Sequence, residues 1–517
     1  MSNVELVLLL LVATTLLAVV ARHLNVAYPI VLVLGGLVLG LTPGLPRVAL
    51  DPDLVFELFL PPLLFAAAFF LPWRDFRENL RPILMLAVVL VGATAAAVAY
   101  AAWATLGLPL GVGLVLGAIV APSDPVAATA IADRLRLPHR LVVVLEGESL
   151  INDAAALVLF HFAVLAVAAG AWSFSGALLD FAKLAVGGVA LGLAVAWLAL
   201  QLFRRLDDPT VITVMTVLGP FAAYLPAELL GFSGVLATVA AGIYVGWHAP
   251  TTFTPPTRVR ANAVWNVLVF LLNGLAFILI GLQLPFIASD IARETPGFLL
   301  MGALAIVGTV MLVRFVWIFG SNALACLIAP GWRRRDPALP WQQLAVLSWA
   351  GMRGIVSLAA ALSLPEAMAS SAPFPHRGLI LFLAFAVTLG TLVLQGLTLP
   401  TLVQALGIGG VDDAEERTEA QRFALEGALS RLEELIARGD LPADGLAHMR
   451  LRYEHVLRVL DETDLAVGDA GTYRTIQLDL IEAERRVLLD MRRHGAISEE
   501  VFRDLERALD MRATWLD

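Results

Sequence analysis

Residues 111–132 read GVGLVLGAIVAPSDPVAATAIA, an apolar run interrupted at its centre by Pro122-Ser123-Asp124-Pro125. About 20 apolar residues suffice for a helix to cross a bilayer, but proline lacks the N–H that a regular helix needs. Irregular backbone at membrane depth is tolerated only beside protein or a water-filled cavity. The stretch therefore predicts a discontinuous membrane-spanning helix whose freed carbonyl groups, with Asp124, can face a cation.

The composition places the whole chain in the same class. Hydrophobic residues make up 59% of the 517 residues, charged residues only 15%, and the mean hydropathy is +0.82. Soluble domains carry nearer a quarter charged residues, and the single cysteine excludes a disulfide scaffold. The apolar runs are continuous rather than alternating, which argues against a membrane β-barrel. The sequence therefore predicts an all-α membrane protein.

Apolar length predicts about thirteen transmembrane helices. We place them at 4–21, 28–41, 54–72, 82–105, 111–132, 141–168, 174–203, 209–226, 231–247, 261–286, 298–329, 340–364 and 378–406. The odd-numbered loops then carry 14 arginines and the even-numbered loops three. The positive-inside rule puts the N-terminus outside and the C-terminus in the cytoplasm. A bacterial inner membrane fits this arrangement best.

The charge of the chain is concentrated in its last hundred residues. Residues 411–517 contain 25 acidic and 15 basic residues in an amphipathic pattern. This predicts two domains: a transmembrane domain over 1–410 and a cytoplasmic helical tail domain over 411–517. The acidic tail argues against nucleic acid as a partner. Either a solubilising or dimerising appendage or a regulatory sensor is compatible with it.

The sixth predicted span contains a second group of membrane-embedded polar residues, EGESLIND at 146–153. Helical spacing puts Glu146, Ser149 and Asp153 on one face and aligns Glu148 with Asn152. Carboxylate and hydroxyl oxygens suit a small hard cation such as Na⁺. Neither cysteine nor histidine joins them, which argues against a zinc site.

Two arginines lie within predicted spans, Arg314 in the eleventh and Arg353 in the twelfth, where Gly351 and Gly354 invite another break. Arginine stays charged and a charge in the membrane is costly, so each arginine needs a carboxylate partner or water. Glu148 is the first choice of partner and Glu146 the second. The two broken spans are seven apart and thus oppositely directed, which predicts inverted repeats with ions bound where two discontinuous helices cross.

These residues suggest a mechanism of cation and proton exchange. Desolvation disfavours the charged form of a buried carboxylate, so Asp153 can hold either a proton or Na⁺. We expect Na⁺ to bind at Asp153, Asp124 and Ser149, with a further neutral oxygen from Ser123. Asn152 orients the site without adding charge. This transporter would need no cofactor and would not be an enzyme.

Other functions remain open at this point. A K⁺/H⁺ antiporter is the main alternative, because carboxylate and hydroxyl ligands do not fix cation size. A cation channel would need no buried, competing carboxylate. An intramembrane aspartyl protease could use Asp124 and Asp153, but neither has the G-x-G-D setting typical of such enzymes. Asp153 could also be a structural acid, and Asp124 a helix cap.

Three motifs together resemble the NhaP/NHE branch of the monovalent cation:proton antiporters: SDPV at 123–126, GESLIND at 147–153 and GMRG at 351–354. The resemblance covers about residues 1–406. It implies a homodimer in which each protomer has a dimerisation part and a moving core, and electroneutral exchange of one cation for one proton. It also implies an ion site and a stabilising ion pair of Glu148 with Arg314 or Arg353. The residues that match the ion site are Ser123, Asp124, Ser149, Asn152 and Asp153.

The third predicted span departs from that family pattern. LPPLLF at 60–65 looks like the family's motif, but several members follow it with a glutamate that faces the site, whereas this chain has Ala66-Ala67-Ala68. We therefore expect a difference in ion affinity, in pH dependence or in the choice between Na⁺ and K⁺.

Overall fold

In a computed structural model, the chain is described over residues 3–42, 52–124, 126–169, 174–291, 294–328, 339–365, 374–408, 414–438, 443–463, 469–494 and 499–514. All regular secondary structure in these ranges is helical. Residues Met1–Val411 and residues Asp412–Asp517 form two separate compact units.

The first unit contains seventeen helices in the described ranges. They are α1 (Asn3–Leu24), α2 (Tyr28–Leu41), α3 (Pro52–Phe70), α4 (Trp73–Glu78), α5 (Leu80–Leu106), α6 (Leu110–Val120), α7 (Val126–Leu135), α8 (His139–Ala169), α9 (Phe174–Phe203), α10 (Pro209–Leu229), α11 (Gly234–Thr252), α12 (Pro255–Leu282), α13 (Leu284–Asp290), α14 (Pro296–Ile328), α15 (Trp341–Trp349), α16 (Ile355–Leu362) and α17 (Arg377–Leu406).

Nine helical stretches in the described part of the chain are long and apolar enough to cross a membrane. Four of the thirteen predicted spans fall outside this set. One matches the short helix α2, one matches α11, and two are interrupted in the middle. The membrane class therefore follows from the helices, while the count of thirteen stays a prediction.

The two interruptions meet in space. Between α6 and α7 the chain leaves the helix around Asp124, and between α15 and α16 it does so around Met352. The Asp124 backbone N–H donates a hydrogen bond of 2.7 Å to the Met352 carbonyl oxygen. The two discontinuous segments therefore contact each other at their breaks. Pro125, which the sequence analysis placed in the first break, lies outside the described residues.

Small residues allow the helix that precedes the first break to pack closely. Gly113 and Gly117 of α6 face the backbone of Ala99 and Ala95 on α5, and a Cβ on either glycine would collide with that backbone. Small residues four apart permit close helix approach in membranes, where dispersion contacts drive association. This packing fixes the end of α6, and hence the break, against α5.

The second unit contains four amphipathic helices, α18 (Ala414–Arg438), α19 (Ala443–Thr463), α20 (Asp469–Arg493) and α21 (Glu499–Thr514). Three of them bury apolar side chains, namely Leu432 of α18, Ile481 of α20, and Phe502 and Leu509 of α21. An ion pair of 2.6 Å between Arg485 and Asp510 links α20 to α21.

Candidate functional site

A cavity of about 530 Å³ lies beside the contact between the two broken helices. Its wall is mostly apolar, with a limited set of polar residues from five helices and the first break. These are Tyr28, Ser123, Asp124, Thr129, Glu146, Ser149, Asp153, Asn266, Asn273 and Ser357. Among the residues that the structure describes, no basic residue lines this cavity.

Helix α8 has one face toward the cavity and another toward the protein interior. Glu146, Ser149 and Asp153 all line the cavity, as their spacing predicts, and only 8% of Asp153 is exposed. Glu148 and Asn152 lie off this face, and each is 1% exposed. One helix therefore carries both the cavity carboxylates and the side chains that hold the neighbouring break.

Ser123 connects the first break to α8. Its hydroxyl donates to Glu148 Oε1 at 2.8 Å and accepts from Asn152 Nδ2 at 2.9 Å. The same amide nitrogen is 3.3 Å from the Ser123 carbonyl oxygen. Asn152 Oδ1 is buried without a hydrogen-bond partner among the described residues. Such unsatisfied acceptors are uncommon in folded proteins, and this one leaves a free oxygen at the junction.

Asp124 caps α7 and also faces the cavity. Its Oδ1 accepts a hydrogen bond of 2.8 Å from the Val126 backbone N–H, which is the capping contact that the sequence analysis kept as an alternative. A Cβ built on Gly354 would overlap the Asp124 carboxylate. The glycine at 354 is therefore needed for space, since the carboxylate occupies the position that a side chain would fill.

Arg314 is the ion-pair partner of Glu148. Its Nη1 and Nη2 donate to the two carboxylate oxygens at 2.5 and 2.8 Å, and both side chains are buried. Its Nε and Nη2 also donate to the Leu347 carbonyl oxygen at 3.2 and 3.1 Å. The bidentate geometry matches the fork of a guanidinium to a carboxylate and ties α14 to α8 and α15.

Arg353, the other candidate partner of Glu148, instead contacts backbone carbonyl groups. Its Nε donates to the Val120 carbonyl oxygen at 2.9 Å and its Nη2 to that of Ala121 at 3.2 Å. Its Nη1 donates to the Gly351 carbonyl oxygen. A cation at these carbonyls complements the negative end of the α6 dipole. Two of the carbonyls freed by the break therefore bind an arginine of this chain.

The cavity wall opposite α8 was not predicted from the sequence. Tyr28 of α2 and Asn273 of α12 line the cavity together with Asn266. Neither Tyr28 nor Asn266 was assigned a role from the sequence. The seven-residue spacing of the two asparagines was the available signal, because it puts them on one face of α12.

The third-span alanines, where the sequence resemblance led us to expect a missing glutamate, lie at the cavity. Ala66 and Ala67 both line the cavity, so the wall has no acid at this point. Among the described residues, no group of three or more His, Cys, Asp and Glu side chains is arranged to hold a metal ion.

Comparison with known proteins finds one family over most of the chain. The profile described as "Sodium/hydrogen exchanger, transmembrane" matches residues 7–405. An uncharacterized Na⁺/H⁺ exchanger of Mycobacterium tuberculosis is 36% identical over 98% of this chain and 95% of its own length. A sodium, potassium, lithium and rubidium/H⁺ antiporter of Bacillus pumilus is 34% identical over 78% of this chain and 61% of its own.

A solved structure has the same fold. The sodium proton antiporter MjNhaP1 of Methanocaldococcus jannaschii aligns with a TM-score of 0.61 at 21% identity, over 78% of this chain and 98% of that one.

Proposed function

The chain belongs to the sodium/hydrogen exchanger family and is a membrane antiporter of the NhaP type, and on that premise we propose that it exchanges Na⁺ or Li⁺ for H⁺ with Asp153 as the shared binding group. One ion then enters as the other leaves, in a ratio of one to one. Asp124, Ser149 and Ser123 complete the cation site, and Asn152 positions Ser123.

The observation that carries this proposal is that Asp153 is a buried acid in a largely apolar cavity. Asp153 is 8% exposed and lies in a largely apolar cavity, and among the described lining residues no basic side chain is present to neutralise it. A buried charge without a partner is strongly unfavourable. A proton or a small cation can each remove that cost, but the two compete for the same oxygens.

The Arg314–Glu148 ion pair and the hydrogen bonds of Arg353 stabilise the structure around the proposed ion site and do not bind the transported ion. Arg314 neutralises Glu148, so that acid is not available to carry ions. Arg353 holds the C-terminal end of α6 against the second break. Since both breaks are fixed to each other and to α8, the cation site moves as one body when access alternates.

We place the protein in a bacterial inner membrane as a homodimer with thirteen spans, inverted repeats, an outside N-terminus and a cytoplasmic tail domain. Asp75 of α4 bonds His139 at the start of α8 with a distance of 2.9 Å, so the end of α3 and the start of α8 lie at one side of the molecule. The loop charges predict that this side is cytoplasmic.

K⁺/H⁺ exchange is the second candidate. The relative from Bacillus pumilus is named for sodium, potassium, lithium and rubidium. In this chain the LPPLLF motif of the third predicted span is followed by Ala66-Ala67-Ala68 and not by a glutamate. A site with one carboxylate fewer attracts a small cation less strongly, which would reduce discrimination in favour of Na⁺.

The test uses purified protein in liposomes that contain a pH-sensitive dye. An acid-inside gradient is imposed and Na⁺, Li⁺ or K⁺ is added outside. We expect Na⁺ and Li⁺ to make the lumen more alkaline and Asp153→Asn to abolish the response. Asp479→Asn removes an acid that is 80% exposed in the tail unit and is the matched control.

The outcomes separate the candidates. A response to K⁺ but not Na⁺ would favour the second candidate. Exchange at the wild-type rate in Asp153→Asn would contradict the proposed carrier. A membrane-potential dye should report no potential generated by exchange, and a Na⁺-dependent potential would refute the one-to-one ratio.

A further inference from the structure

The cavity extends well beyond Asp153 along two helices. On α8, Glu146 lies seven residues before Asp153, and on α12, Asn266 lies seven residues before Asn273. All four side chains line the same cavity. Seven residues are two helical turns, or about 10 Å along the axis. The cavity therefore has an outer polar level as well as the inner one that contains Asp153.

Exposure increases from the inner level to the outer level. Asp153 and Asn273 are 8% and 6% exposed, whereas Glu146 is half-buried and Asn266 is exposed. Helix α3 forms a third wall of the cavity. There Leu64 is buried, but Phe70, the last residue of α3, is 44% exposed. This increase in exposure indicates that the cavity opens toward solvent on the side of Glu146 and Asn266.

The three walls open at the same end of the unit. Arg140, near the start of α8, bonds the side chain of Asn79, which follows α4, at 2.9 Å. Gly246 of α11, shortly before α12 begins, packs on the Phe69 backbone at the end of α3. The end of α3 and the beginnings of α8 and α12 are thus neighbours, and Glu146 and Asn266 lie between that end and Asp153.

We propose that Glu146 and Asn266 form an outer cation station, which holds a hydrated monovalent cation before it reaches Asp153. This rests on the proposed function, since it concerns the same transported ion. The cavity has room for several water molecules, so the cation need not lose its hydration at this level. The carboxylate supplies attraction and the amide oxygen supplies a neutral ligand.

The separation of the two levels determines which step Glu146 affects. At about 10 Å, Glu146 cannot coordinate a cation that is bound at Asp153. A negative charge in a cavity with low-dielectric walls instead raises the local cation concentration. Removing it should increase the cation concentration needed for half-maximal transport, by about three- to tenfold at low ionic strength. The maximal rate should stay within about twofold of the wild type, because the binding group is unchanged.

The experiment measures initial exchange rates against Na⁺ concentration for wild type, Glu146→Gln and Glu146→Asp. Glu78→Gln is the matched control, because Glu78 is an exposed acid of α4, near the same end, that pairs with Arg74 outside the cavity. We expect a raised KM only in Glu146→Gln, with Glu146→Asp close to wild type. Added choline chloride should reduce the difference, since salt screens a charge that acts across solvent.

Each alternative result has a defined meaning. A KM in Glu146→Gln equal to that in Glu78→Gln would overturn the outer station, while Asp153→Asn remained inactive and the proposed function stood. An inactive wild type, or an active Asp153→Asn, would reject the proposed function itself. If Glu146→Gln is inactive or unfolded, Glu146→Asp decides: a near wild-type KM supports the station, and loss of transport in both variants overturns it.

Discussion

Replacing Arg314 by leucine tests the structural role of the buried ion pair. The substitution removes two charge-assisted hydrogen bonds to Glu148, of 2.5 and 2.8 Å, between side chains that are 3% and 2% exposed. Among the described residues, Glu148 would then keep only the hydrogen bond from the hydroxyl of Ser123. Deleting one partner of a buried pair costs about 3–5 kcal/mol, because the other charge stays uncompensated. The Leu347 carbonyl also loses both donors from Arg314.

A double-mutant cycle separates the charge contribution from the loss of packing. In a Glu148→Gln background the same Arg314→Leu change leaves a neutral amide, so we expect it to cost only about 1–2 kcal/mol. The coupling energy between the two positions should then be about 2–3 kcal/mol, as expected for residues in direct contact.

The assay is reversible unfolding in mixed micelles with increasing dodecyl sulfate, followed by the fluorescence of the 11 tryptophans. Arg134→Leu is the matched control: Arg134 is an exposed arginine that bonds Asn25, and its loss should cost less than about 1 kcal/mol. A cost for Arg314→Leu no larger than that of the control, or a coupling energy of zero, would refute the role assigned to the pair.

Two further substitutions test local features. Asp208→Ala removes the cap of α10, where the Thr210 and Val211 backbone N–H groups bond the carboxylate and hold the pKa of Asp208 below its usual value. The stabilisation from the cap is therefore present at pH values above the pKa of Asp208 in the unfolded chain and is lost as the pH falls through its pKa in the folded protein. The variant should unfold at a lower temperature than wild type at pH 7, and this difference should disappear at a pH below the folded pKa. Asp208→Asn keeps a hydrogen-bond acceptor, so its unfolding temperature at pH 7 should lie between those of wild type and Asp208→Ala. Equal unfolding temperatures for all three proteins at pH 7 would contradict the capping role. Gly354→Ala should reduce exchange by more than about tenfold, because its Cβ displaces the Asp124 carboxylate, whereas Gly308→Ala, which meets no atom within 4 Å, should keep the wild-type rate; equal rates in the two variants would contradict the steric argument.

Periodicity within one helix predicted more of the site than any other signal. The positions of Glu146, Ser149 and Asp153 on one face follow from 3.6 residues per turn, and all three line the cavity. The interruption around Asp124 follows from proline chemistry, and the one at Met352 from the flanking glycines. These are local properties, so a single sequence contains them.

Contacts between helices were predicted less well. Two arginines were equally acceptable as partners of Glu148, because each has the same charge and lies in an apolar segment. Only the placement of α14 in the folded unit brings Arg314 to the carboxylate and leaves Arg353 with the Val120 carbonyl. The cavity wall opposite α8 likewise depends on the tertiary arrangement, because α2 and α12 must lie across the cavity to bring Tyr28, Asn266 and Asn273 into its lining.

The sequence by itself determined the membrane class, the two breaks and the polar face of α8, because apolar length, proline and glycine, and helical period act within a few neighbouring residues. Only the tertiary structure decided which buried charges are neutralised and which face open space. That outcome depends on distances between residues far apart in the chain, as in Arg314 and Glu148. Among the described residues of the cavity lining, Asp153 has no such partner, and its proposed chemistry follows from that arrangement.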